Sequence, residues 1–103
     1  MKIHMFALAV LAALTSAAPA LADQALATSK NCMSCHTLER KVVGPAFKDV
    51  AAKYAGDKTA VDRLATKIQK GGAGVWGAVP MPSNTQITDA EAKKLATWIL
   101  TVK

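Results

Sequence analysis

Apolar positions near the end of the chain recur at helical spacing, with Ala92, Leu95, Ala96, Ile99 and Val102 on one face. Just before them, Thr88-Asp89-Ala90-Glu91 is a capping box, in which hydroxyl and carboxylate each satisfy a backbone N–H that the first helical turn leaves open. The pattern predicts a helix whose apolar stripe faces a core. A second follows Gly56-Asp57-Lys58-Thr59, carries Val61, Leu64, Ala65 and Ile68 on one side, and stops at Gly71-Gly72. A shorter helix is expected over residues 46–54, behind Pro45, and another over residues 24–31, behind a capping Asp23. Four helices result, and no strand. Residues 36–44 and 71–87 show no period, and the second stretch is long for a connection without structure of its own. Neither a repeat nor a heptad seam appears, so residues 23–103 are expected to form a single all-α domain.

The beginning of the chain is different. Of the first 22 residues 17 are apolar; they follow Lys2 and end in the small-x-small triplet Ala20-Leu21-Ala22. A charged start, a short apolar centre and such an ending describe a secretory signal peptide, residues 1–22, cleaved after Ala22. The uncharged run 3–22 could barely cross a bilayer, so an uncleaved anchor is the alternative. Cleavage implies a periplasmic protein without a membrane anchor. No twin-arginine signal is present, so any cofactor would be added after export through the general secretory route.

Composition sharpens this picture. A chain of 103 residues is one small domain, and two cysteines three positions apart exclude a disulfide framework. After Ala22, 12 basic side chains stand against 7 acidic ones, a formal +5. Of those 81 residues 13 are alanine, and the aromatics are Phe47, Tyr54, Trp76 and Trp98 alone. Side chains of that inventory pack a thin core, and domains near this size commonly add a disulfide, a metal or another large staple.

Cys32-Met33-Ser34-Cys35-His36 is C-x-x-C-H, the attachment motif of c-type haem. Two thiols on one turn can each form a thioether to one porphyrin edge, and the imidazole next along can bind iron. C-x-x-C is also the thioredoxin redox motif, and Cys and His bind zinc. Thioredoxin chemistry expects a βαβ pattern, however, and zinc needs a fourth ligand, from His4 in the signal or a carboxylate. With His36 on one face of the iron, the other is either open or ligated. Met81 is the candidate, since Met33 lies within the motif and Pro80 and Pro82 restrict the loop that carries Met81. Core packing is the ordinary use of a methionine.

With Val43-Gly44-Pro45-Ala46, Gly74-Val75-Trp76-Gly77, Val79-Pro80-Met81-Pro82 and Trp98-Ile99-Leu100, these residues resemble the small bacterial class I cytochromes c of the c-551/c-552 type. The resemblance covers residues 23–103. It implies the class I cytochrome c fold, about four helices wrapped around one covalently attached haem c held by Cys32 and Cys35, with His36 and Met81 as axial ligands. It further implies that the Pro45 carbonyl accepts a hydrogen bond from the His36 ring, that Asn84 contacts the Met81 sulfur, and that Trp76 and Lys67 reach a haem propionate. Many relatives have Gly where Asn31 stands and Pro where Ser83 stands, departures that bear on local loop shape.

The function so implied is that of a soluble periplasmic electron carrier, not an enzyme. It would pass one electron between respiratory partners, such as a quinol-oxidising complex and a terminal oxidase or nitrite reductase. A monomer suffices, and nucleic acid is not expected as a partner. Lys30, Arg40 and Lys41 flank the attachment motif and are expected to steer docking to an acidic patch on the redox partner. The alternatives are a ligand-binding or peroxidase-like haem protein with a displaceable Met81, and a thiol-disulfide oxidoreductase with free cysteines.

Overall fold

A computed structural model describes residues 19–103, with side chains from residue 23. The signal-peptide reading falls mainly outside the described residues. The elements are α1 (Pro19–Ser29), a 3₁₀ turn (Cys32–Ser34), α2 (Phe47–Lys53), α3 (Ala60–Lys70), β1 (Gly72–Gly74), β2 (Gly77–Met81) and α4 (Asp89–Ile99).

The helix α4 begins at the capping box read from the sequence: Thr88 Oγ1 accepts from Glu91 N and Glu91 Oε1 accepts from Thr88 N, both at 3.1 Å. Its buried face, Ala92, Leu95, Ala96, Trp98 and Ile99, is the spine of the core. Against it α3 sets Ala60, Leu64, Ala65 and Ile68, and this pairing is the most extensive between elements. The apolar spacing of four along both helices makes those stripes continuous, so burial stabilises the pair. α2 joins through Phe47, whose ring meets Trp98 edge-on with centroids 5.5 Å apart.

α1 packs on α4 through the fully buried Ala27, and two ion pairs, Lys30–Glu91 at 3.3 Å and Lys94–Asp23 at 3.5 Å, span the two helices. It departs from expectation at both ends. Asp23 lies inside the helix and does not cap it, because Pro19 fits a first-turn position and Ala20, Leu21 and Ala22 carry the helix on with good propensity. At the other end Asn31 takes a left-handed conformation, φ 64°, and turns the chain into the 3₁₀ turn.

The expectation of no strand is overturned by the β1–β2 hairpin, antiparallel with Gly72 opposite Met81 and Gly74 opposite Gly77. Gly74 and Gly77, at φ 106° and 108°, bracket Val75 and Trp76 and let the chain reverse within two residues. Much of the stretch 71–87 therefore has structure of its own. Its strands lack alternating apolar residues, which is why the pattern did not reveal them.

Candidate functional site

The turn over Cys32–Ser34 is closed by Cys35 N to Cys32 O at 3.2 Å and His36 N to Cys32 O at 3.0 Å. It brings Cys32, Cys35 and His36 onto the wall of one open cleft. The loop that follows is folded back on itself. Gly44 N donates to Cys35 O at 2.8 Å, Phe47 N to Thr37 O at 2.9 Å, and Thr37 Oγ1 to Arg40 O at 2.6 Å. This return places the Pro45 carbonyl oxygen 2.8 Å from His36 Nδ1. A carbonyl only accepts, so Nδ1 carries the proton and Nε2 is left with a lone pair for a metal.

The imidazole is fixed on both sides. Phe47 stacks on it with ring centroids 4.8 Å apart and an interplanar angle of 19°. Under the ring lies Gly44, where a Cβ would come within 2.4 Å of His36 Cε1. Nothing larger than glycine fits without moving the histidine.

Met81 enters the same cleft from the end of β2, where pairing with Gly72 sets its register. Gly71 lies beneath it at φ 68°, and a Cβ there would approach Met81 O to 2.3 Å. Trp76 and Lys67 also line the cleft, Trp76 at the hairpin turn with Lys53 Nζ 5.6 Å from its ring centroid, Lys67 with its ammonium over Gly72. The remaining walls include Val43, Val50, Leu64, Ile68, Val75, Val79, Leu95 and Ile99, so the cleft is mainly apolar.

Asn84 lies on the cleft but makes a different bond from the one expected. Its amide donates to Ile68 O at 2.9 Å, and no hydrogen bond from it to the Met81 sulfur is formed. The cause is its backbone, whose N–H is tied to Gln69 O at 3.0 Å and lays the side chain over the carbonyls that end α3. Lys30 is also differently employed. It is paired with Glu91 and three-quarters covered, whereas Arg40 and Lys41 are exposed.

The two cysteines form no disulfide with each other, and burial pushes the Cys32 thiol above its ordinary pKa. A redox-active C-x-x-C needs the opposite shift, toward thiolate. Among the described residues no three His, Cys, Asp or Glu side chains are disposed to hold a bare metal ion. The donor set in the cleft is instead two thiols, one imidazole nitrogen and one thioether around an apolar space. That set fits a flat apolar prosthetic group attached through sulfur and ligated through its metal. Phe47, Lys53 and Gln69 were not singled out from the sequence; Phe47 alone had a signal, its place two residues after Pro45.

The cytochrome c family profile matches residues 20–103. The chain is 63% identical over 82 residues to cytochrome c-552 of Hydrogenobacter thermophilus, covering 80% of this chain and 83% of that protein. It is 56% identical over 91 residues to cytochrome c-552 of Nitrosomonas europaea, covering 88% of each. The crystal structure of wild-type Nitrosomonas europaea cytochrome c552 superposes with a TM-score of 0.76 at 56% identity, covering 78% of this chain and 99% of that one.

Proposed function

Since the chain belongs to the cytochrome c family, as a small class I c-type haem electron carrier, we propose that His36 and Met81 are its axial ligands and that it works in the periplasm between respiratory redox partners. Cys32 and Cys35 hold the haem c through thioether bonds. When bound, the haem iron supplies a one-electron couple. The observation that carries the His36 assignment is the hydrogen bond from His36 Nδ1 to Pro45 O, which fixes the tautomer and leaves Nε2 for iron; Met81 is supported by its place on the same cleft.

Each side chain then has a defined task. Pro45 and Phe47 hold the imidazole in one orientation, so ligation needs little rearrangement. Met81 donates a neutral sulfur, which favours the reduced state relative to a second nitrogen. With His36 and Met81 both holding the iron, no ligand position would be left for a substrate, and the chain would transfer electrons without catalysing a reaction. Trp76 and Lys67, at the cleft, are suited to meet a propionate through an indole N–H and an ammonium. Residues 1–22 direct export and are removed after Ala22. Arg40 and Lys41 carry the docking charge toward an acidic face of the partner.

The test is the optical spectrum of the purified ferric protein, together with its intact mass. A weak near-infrared band of Met-to-iron charge transfer is expected in the wild type and absent in Met81→Ala. The mass should equal residues 23–103 plus one haem. Haem binding without that band would overturn Met81 ligation and bring ligand binding forward, and a mass that includes residue 1 would overturn cleavage.

A further inference from the structure

The Met81 loop is held at the carboxyl end of α3 by one residue more than by any other. Gln69 Nε2 donates to Ile87 O at 3.1 Å and to Asp89 Oδ1 at 2.8 Å, which uses both of its amide hydrogens. Gln69 O accepts from Asn84 N at 3.0 Å. A single side chain and its own carbonyl thus fasten residues 84 and 87 of the connection that follows Met81, and Asp89 at the start of α4.

We propose that Gln69 is a positioning residue for Met81, which keeps the thioether on the iron by denying the loop the freedom to swing away. This rests on the ligand assignment proposed above. A neutral thioether is a weak ligand for ferric iron, so its retention depends on how little the loop gains by leaving. That gain is set by the bonds that must break: Met81 itself is paired with Gly72 in the hairpin, and beyond it the polar ties of the loop to α3 are Asn84 to Ile68 and Gln69, and Gln69 to Ile87, with a further bond from Gln69 to Asp89 at the start of α4. The α3 end is itself anchored in the core by Ile68, and the loop by Ile87, so Gln69 links two buried anchors on either side of the Met81 loop. An external base such as imidazole must compete against this clamp as well as against the sulfur.

The experiment titrates ferric holoprotein with imidazole and follows loss of the Met-to-iron near-infrared band. Gln69→Ala removes both donors, and Gln69→Glu removes them while keeping length and setting a second carboxylate against Asp89. Asp57→Ala is the control. It breaks the bonds of Asp57 to Thr59 and Arg63 at the other end of α3, without touching the Met81 loop. Both Gln69 variants should bind imidazole about tenfold more tightly, the scale of two lost hydrogen bonds, and the control within about twofold of wild type. Urea midpoints of all three are measured alongside. Equal tightening in the control, or none in the Gln69 variants, overturns the proposal. A wild type that lacks the band overturns the ligand assignment beneath it, a distinct result.

Discussion

Two residues that share a positive φ carry different risks. Asn31, at φ 64° and ψ 16°, is left-handed helical, whereas Gly71, at φ 68° and ψ −156°, lies in a region open essentially to glycine alone. Asn enters the left-handed region more readily than other side chains, which suits it to position 31. At Gly71 a side chain is excluded twice, by conformation and by the Met81 carbonyl 2.3 Å from where its Cβ would be. Gly71→Ala should therefore cost about 2–4 kcal/mol, combining the strain of a glycine-only backbone conformation with overpacking, read from a urea titration. Because the clash is with the backbone of Met81, the near-infrared band should weaken too; an unchanged midpoint would show that the hairpin shifts freely. At this scale the sequence was informative where chemistry is local. Cys32, Cys35 and His36 are neighbours, and their spacing alone brings them onto one turn. Met81 stands out between two prolines. What Asn84 touches was not legible, since its partner at residue 68 is chosen by how the loop meets α3.

Elements were readable in proportion to the length of their apolar pattern. α3 and α4 each repeat it over three turns and end at glycines or begin at a capping box. The hairpin has no such pattern: its register comes from backbone angles at glycines, and an apolar count passes over it. In the full chain α1 runs on through the alanine-rich residues before Asp23, which carry no stop signal; with residues 1–22 removed, as proposed, Asp23 becomes its first residue. The capping box of α4 supports a prediction in which sign matters. The Thr88 backbone N–H, the largest influence, together with Lys30, holds the Glu91 carboxyl below its ordinary range. A carboxyl with a lowered folded-state pKa contributes stability in full above the ordinary carboxylate range, and loses it as pH falls through the folded-state pKa. The Asp57 carboxyl is lowered too, chiefly by the Thr59 hydroxyl, and adds to the same acid limb. The urea midpoint of the wild type should therefore fall on acidification, and Glu91→Gln should flatten but not abolish that fall. Thr88→Ala should cost about 1 kcal/mol near neutral pH. A Glu91→Gln curve parallel to wild type would mean that the carboxylate does not act through the cap.

For the whole molecule, net charge is a property of the sequence, but its distribution is a property of the fold. The chain is formally +6 and would be +5 from residue 23 onward. Three cations near the attachment motif looked equivalent in the sequence. Folding separates them, because Lys30 is consumed by Glu91 in joining α1 to α4, while Arg40 and Lys41 stand exposed on the loop behind His36, with Lys41 on the cleft and Val42 and Val43 exposed beside it. Long-range steering depends on charge that solvent and partner can both see, and its reach is about 8 Å at physiological salt. Reversing the exposed pair should thus change the encounter, while reversing Lys30 should change the fold. With an acidic redox partner at low salt, Arg40→Glu combined with Lys41→Glu should lower the second-order electron-transfer rate by roughly tenfold or more, with a flatter dependence on ionic strength. Lys30→Glu should leave that slope near wild type but lower the urea midpoint, since it sets like charges against each other between α1 and α4. Stopped-flow rates across a salt series separate these outcomes. If the double reversal leaves both rate and slope unchanged, Arg40 and Lys41 are solvated surface, and docking depends on the apolar rim of the cleft, where Val43, Val75 and Val79 are exposed.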